Sequence, residues 1–126
     1  MFVQGLHSIE EYVAKLWENF QPARVLCSLV SDNPETGFLI INIGLFVFGL
    51  WCWLFPIRKN YFYAQLLVWF WIVLELINGI GHPIWTIIQK AYTPGILTAP
   101  ILLVIAIVLL RKQLNEKTNA QQRTEL

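Results

Sequence analysis

The stretch 61–82, YFYAQLLVWFWIVLELINGIGH, constrains the fold more than any other part of the chain. It is almost uniformly apolar, and as a helix rising about 1.5 Å per residue it is long enough to cross a hydrocarbon layer of about 30 Å. One acid, Glu75, lies inside this run, and a carboxylate at such depth costs at least about 2.5 kcal/mol to insert. The stretch therefore predicts a transmembrane helix that carries part of a polar site.

Three polar residues of this helix share one face. Asn78 and His82 follow Glu75 at offsets of three and seven, which a helix of 3.6 residues per turn places on one stripe. Pro83 has no amide hydrogen and disfavours helix in the residue before it, so we expect the helix to kink or break at His82. Residues 84–93 are then expected to form a short re-entrant or interfacial piece.

Composition places the chain among membrane proteins. It has 126 residues, 56% of them hydrophobic, and a formal charge of +1, which gives no indication of a nucleic-acid partner. Two further apolar runs, 38–57 and 94–110, predict two more spans, and residues 21–37 read as a loop. We expect a single helical membrane domain over 1–112 and a polar tail over 113–126.

The basic pairs predict the orientation. Arg58-Lys59 follows the first span and Arg111-Lys112 follows the third, so the positive-inside rule puts both ends and the C-terminus in the cytoplasm. The N-terminus is then on the outer side of the inner membrane, in a multi-pass protein. Three spans enclose little interior, which is compatible with a homodimer.

Residues 7–20 predict an amphipathic helix with an unusual polar face. Interfacial helices favour Lys and Arg towards lipid headgroups, whereas this face is acidic and carries a histidine. We therefore expect the acids to face the bundle and the apolar side to face lipid. The fold class predicted is an all-α membrane protein with three transmembrane helices and this N-terminal helix packed into the bundle.

Convergence of these segments predicts an intramembrane metal site. Imidazole and carboxylate are the ligand set of zinc and non-haem iron, and His7, Glu10 and Glu11 stand on one helical face. The predicted ligands of this divalent metal come from the first and central helices: His7, Glu10, Glu11, Glu75 and His82. Polar residues expected behind or beside them are Asn78, Thr98, Asn42 and Glu18.

The expected function is a metal-dependent enzyme that acts on a lipid or other hydrophobic small molecule entering from the bilayer. Glu10 or Glu11 would serve as general base, and Tyr92 or Asn78 would orient the substrate. Two alternatives stay open: a metal-free acid–base isomerase or cyclase, and a non-enzymatic transporter or accessory subunit. Metal content would distinguish the metal-dependent enzyme from the metal-free one. A comparison of substrate turnover with translocation would distinguish both enzymes from the non-enzymatic protein.

Three motifs in this order resemble the HXXEE domain family of small bacterial integral membrane proteins. They are His7-Ser-Ile-Glu10-Glu11, Asn78-Gly-Ile-Gly-His82, and the segment 92–99, YTPGILTA, which opens the last apolar run. The resemblance covers about residues 5–110. It implies a shared architecture and a common site, without a settled activity, at positions His7, Glu10, Glu11, Asn78, His82, Tyr92, Pro94, Gly95 and Thr98.

Overall fold

The computed structural model describes residues 1–124, and every regular element in that part of the chain is helical. The helices in chain order are α1 (Phe2–Val13), α2 (Leu16–Asn19), α3 (Gln21–Ser28), α4 (Pro34–Cys52), α5 (Ala64–Gln89) and α6 (Ala99–Thr124). A π-helical turn, Trp53–Ile57, directly continues α4.

Local sequence explains where α4 begins. The Asn33 side-chain oxygen accepts a hydrogen bond from the Glu35 amide at 2.9 Å, and Pro34 occupies the first turn, where its missing amide costs nothing. The short turn after the π-helical segment makes α5 return antiparallel to α4. At that end of the bundle Gln65 donates to Gln113 of α6 at 3.4 Å.

Helices α5 and α6 pack closely because a glycine lies where they meet. A Cβ atom placed on Gly79 would lie 2.7 Å from the Leu103 Cβ atom and 2.8 Å from its Cα atom. No larger residue fits there without moving the backbones apart. The contact keeps the C-terminal half of α5 beside the start of α6. His82 lies in this half of α5.

The N-terminal segment folds back over α4 as three short helices. Lys15 ends α1 in the left-handed conformation, with φ of 51°, and the chain turns into α2. A small core then forms where α2, α3 and the beginning of α4 meet. Its buried members are Leu16, Trp17, Cys27 and Phe38. Because α1 is held by this core and contacts both α4 and α6, its inward face is fixed against the bundle.

The prediction of three spans is wrong in its count, because two helices in the described part are long and apolar enough to cross a membrane. They are Pro34–Ile57 and Ala64–Gln89. The third predicted span, 94–110, begins with a turn, and α6 starts only at Ala99. The uncharged run before Arg111 is therefore twelve residues, about 18 Å of helix against the roughly 30 Å of hydrocarbon.

Two other expectations need correction. Helix α5 passes through Pro83 without a break and ends at Gln89, so residues 84–89 are not a re-entrant piece. One lost hydrogen bond is tolerated because α5 packs against α6, at Gly79 among other positions. Part of the expected loop 21–37 is α3. The division into a membrane domain and a polar tail over 113–126 stays a prediction; α6 continues as far as Thr124, and residues 125–126 lie outside the described part.

Candidate metal centre

Three donors from two helices converge at the buried end of α1. His7 and Glu11 stand four residues apart on α1, and His82 comes from α5. His7 is fully buried, whereas Glu11 and His82 are 7% and 9% exposed. One ligand atom from each residue lies within 4.8 Å of the other two. This is the candidate metal centre.

The polar face of α1 points inward, as its acidic character predicted. Gln4, His7 and Glu11 are buried at spacings of three and four residues. The apolar residues of the opposite side are exposed instead: Phe2, Leu6, Ile9 and Val13. The helix thus directs two donors into the bundle and its apolar side chains outward. An amphipathic helix of a water-soluble protein has the opposite arrangement.

The distances around Glu11 are compatible with metal coordination. Its Oε1 atom lies 3.4 Å from His7 Nε2 and 3.2 Å from His82 Nε2. Ligand atoms about 2.1 Å from a tetrahedral ion lie about 3.4 Å apart. Both separations are close to that edge length, and the three ligand atoms together lie within 4.8 Å of one another.

A relay of hydrogen bonds orients the ring of His7. The Thr98 hydroxyl lies 2.6 Å from Glu10 Oε2 and donates to this carboxylate. It must therefore accept from His7 Nδ1, which lies 2.7 Å away. The Nε2 atom of His7 is then directed to Glu11, and it has no hydrogen-bond partner. A ring nitrogen held in this way is typical of metal ligands.

Glu10 is turned away from the three donors and binds the start of α6. Its carboxylate accepts hydrogen bonds from the Leu97 and Thr98 amides at 3.0 Å each and from the Tyr92 hydroxyl at 3.1 Å. Burial raises the pKa of Glu10, but the Thr98 hydroxyl and the backbone amides outweigh it and lower this pKa overall. Glu10 thus anchors α6 and orients His7; direct ligation by it stays a prediction.

Tyr92 sits at the rim of the centre. Burial first, and then its hydrogen bond to Glu10, raise the pKa of the Tyr92 phenol. The Tyr92 hydroxyl bonds to Glu10, while 58% of the residue is exposed. A role of Tyr92 in orienting substrate remains a prediction.

Gly95 forms the floor of the centre. Its φ of 88° belongs to the left-handed region, and a Cβ atom there would lie 2.6 Å from His82 Cε1 and 2.8 Å from His7 Cε1. The two imidazole rings stand edge to face, 4.8 Å apart, directly above this glycine. The segment before it is fixed by a hydrogen bond between the hydroxyls of Thr86 and Thr93.

The charge on Glu11 is stabilised by its surroundings. Burial raises the pKa of Glu11, yet hydrogen bonds and charge interactions with His7 and His82 lower it overall. One anionic carboxylate between two imidazoles is the donor set of catalytic zinc sites and of non-haem iron sites, both of which keep open coordination positions. The arrangement can therefore hold a metal ion and leave room for a further ligand.

Of four other predicted residues, Asn78 lines a cavity with Glu11, and the other three have contacts away from the three donors. Glu75 is buried near Trp71 in a separate cavity, and its Oε2 atom has no hydrogen-bond partner. Asn42 accepts from Ser8 at 2.7 Å and donates to its own helix. Glu18 is exposed and pairs with Lys15 at 3.1 Å. Asn78 is half-buried beside the cavity that Glu11 lines.

Two residues of the site were missed from the sequence. Gln4 lies one turn before His7 on the same buried stripe, and its side-chain oxygen has no hydrogen-bond partner. Ser8 ties α1 to α4 through Asn42. The helical offset of three from His7 was a signal that could have identified Gln4.

Comparison with known proteins adds one match. A family model described as "Protein of unknown function with HXXEE motif" matches residues 1–110. No curated protein and no solved structure matches the chain.

Proposed function

The chain belongs to the HXXEE family, and from that premise we propose that it is a membrane-embedded, metal-dependent enzyme acting on a lipid or other hydrophobic substrate. The observation that carries the proposal is the convergence of His7, Glu11 and His82, all buried and with nitrogen–oxygen separations of 3.2 and 3.4 Å. Two imidazoles and one carboxylate with these separations form a donor set that a metal ion can bridge.

Zinc and ferrous iron are the two candidate ions. Two imidazoles and one carboxylate bind either, and each ion then acts as a Lewis acid on a bound oxygen. His7 and His82 would hold the ion through ring nitrogens, and Glu11 through its Oε1 atom. The relay from His7 through Thr98 to Glu10 would keep the His7 ring oriented.

Exposed hydrocarbon supports the membrane location. Only 17% of the most apolar window in Pro34–Ile57 and 28% of that in Ala64–Gln89 is buried inside the protein. Core helices of water-soluble proteins bury most of such a surface, and a bilayer would cover it here. Asn60 and Lys112 line one cavity, so both basic pairs lie at the same end of the bundle. By the positive-inside rule that end is cytoplasmic, in a multi-pass inner-membrane protein.

A metal-free enzyme is the second candidate. Glu11 lies within reach of two imidazoles, and a proton shared among these three groups would also stabilise the cluster. Such a set could move protons on an unsaturated lipid as an isomerase or cyclase does. The two candidates differ in one measurable property, which is the metal content of the purified protein.

Elemental analysis of the detergent-purified full chain tests the proposal. We expect about one zinc or iron per chain in the wild type and loss of most of it in Glu11→Gln and His82→Ala, because each removes one of three donors. Glu18→Gln, which neutralises an exposed carboxylate, is the matched control and should keep the ion. Wild-type protein without metal after expression with both ions supplied would support the metal-free enzyme instead.

A further inference from the structure

An apolar groove of about 580 Å³ runs along the outer side of the bundle between α1 and α4. Its walls include Leu6 and Ile9 of α1 and Leu39 and Ile43 of α4. The polar residues Ser8 and Asn42 also border it, but they bond to each other at 2.7 Å and so expose little hydrogen-bonding capacity. The groove can accept hydrocarbon, and its volume is in the range of small-molecule sites.

A second cavity of about 150 Å³ lies beside this groove. Gln4, Phe38 and Asn42 line both spaces, and the second cavity also borders Glu11 and Asn78. The two spaces are therefore neighbours, and the second one reaches one of the three donors. At about 30 Å³ per water molecule the second cavity has the volume of about five waters. A phospholipid headgroup is too large for it, whereas a single small polar group fits.

Gln4 indicates the chemistry of that polar group. The residue is 5% exposed, and its side-chain oxygen has no hydrogen-bond partner although the residue lines both the groove and the second cavity. An unpaired buried amide is costly and marks a position for a ligand. A hydroxyl both donates and accepts, so it satisfies the Gln4 amide in either orientation of its oxygen and nitrogen.

We infer that the substrate of this site is a single-chain lipid with a small uncharged hydroxyl head, whose chain lies in the α1–α4 groove and whose hydroxyl reaches Gln4 and Glu11. The inference rests on the proposed function, since it names the substrate class of the same centre. One hydrocarbon chain matches the apolar groove, and the hydroxyl matches the small second cavity, whose polar residues include Gln4, Glu11 and Asn78. Because the two spaces share three lining residues, we expect head and chain to belong to one molecule.

Native mass spectrometry of the detergent-purified chain, titrated with hexadecanol or with hexadecane, tests the inference. The wild type should bind one hexadecanol saturably. Ile43→Trp fills the groove at a residue that is 60% exposed and should lower hexadecanol binding about tenfold or more. Ile77→Trp, at a 63% exposed position on α5 that does not line the groove, should bind as the wild type does.

Gln4→Leu separates the head from the chain. Loss of one buried hydrogen bond should weaken hexadecanol binding by about tenfold and leave hexadecane binding unchanged. Equal hexadecanol binding by wild type and Ile43→Trp would overturn the groove assignment, and an unchanged affinity in Gln4→Leu would overturn the head assignment. A switch from dimer to monomer in Ile43→Trp, with hexadecanol binding intact, would mean that a second copy of the chain covers the groove.

Metal content of the same samples keeps the two ideas apart. A metal-loaded wild type that fails to bind hexadecanol saturably would sink this inference and leave the metal centre standing. Saturable binding that depends on Ile43 and Gln4 in a protein without metal would support the lipid site and refute the metalloenzyme.

Discussion

Two buried carboxylates in the same bundle, Glu11 and Glu75, have opposite surroundings. Glu11 is 7% exposed and lies within 3.4 Å of two imidazole nitrogens contributed by different helices. Glu75 is 5% exposed, yet one of its oxygens has no hydrogen-bond partner, and the residues around it are almost all apolar. Burial is the same, but only Glu11 has converging donors.

The difference shows what makes a buried acid part of a centre. Glu75 and His82 share a face of α5, but seven residues of helix separate them by about 10 Å along the axis. Glu11 reaches His82 because α1 contacts α6, and the turn before α6 brings Gly95 against the rings of both His7 and His82. Residues on one stripe of a helix share a face of that helix. A second helix is needed to bring donor side chains together at one point.

Gly95→Ala should produce the largest effect at the Glu11 centre. The new methyl group would lie within 2.8 Å of both imidazoles, in a conformation that L-residues avoid. Strain of this kind costs about 1–3 kcal/mol, and relief by moving either ring would separate the donors. We expect loss of bound metal in elemental analysis and a lower thermal unfolding temperature.

Gly81→Ala is the matched control for that change. Nothing lies within 4 Å of a Cβ atom at Gly81, which is inside α5. Alanine should therefore leave metal content intact and stabilise the helix by about 0.5–1 kcal/mol. A Gly95→Ala protein that binds metal as the wild type does would show that the imidazoles do not need this floor.

Thr98→Val should have an intermediate effect, since it removes the relay while leaving all three donors in place. Valine has the shape of threonine but cannot bridge His7 Nδ1 and Glu10. Loss of such an outer partner typically lowers metal affinity about 10–100-fold. Competition with a zinc chelator measures the change. Thr98→Ser should retain most of the affinity, and Thr36→Val on the exposed start of α4 should retain all of it; equal affinity in Thr98→Val would argue against the relay.

Part of this architecture was predictable from sequence patterns. The acidic face of α1 indicated that His7 and Glu11 turn inward, and the apolar runs located α4 and α5. The pattern could not choose between Glu10 and Glu11, because adjacent residues differ by about 100° around a helix and both border the same face. The structure distinguishes their contacts: the Leu97 and Thr98 amides, just before α6, bind Glu10, whereas Glu11 faces the imidazoles.

The errors arose where tertiary contacts override local signals. Pro83 predicted a break, but α5 is supported by α6 through the contact of Gly79 with Leu103. The run 94–110 read as a span because hydropathy does not register the turn at Gly95, whose positive φ delays the helix to Ala99. Glu75 as a metal ligand stays a prediction: the sequence gives its direction around α5, and its position along the helix axis relative to α1 depends on packing.

Glu75→Gln should have the smallest effect and gives the sharpest contrast with Glu11→Gln. The amide keeps the shape of the carboxyl group but carries no charge, so it removes the cost of desolvating an anion whose Oε2 atom has no hydrogen-bond partner. We expect unchanged metal content and an unfolding free energy within about 1 kcal/mol of the wild type. Elemental analysis and thermal unfolding of the two glutamine variants side by side provide the measurement. If Glu75→Gln lost its metal as Glu11→Gln is expected to, the two carboxylates would belong to one centre, and the separation drawn between them would be wrong.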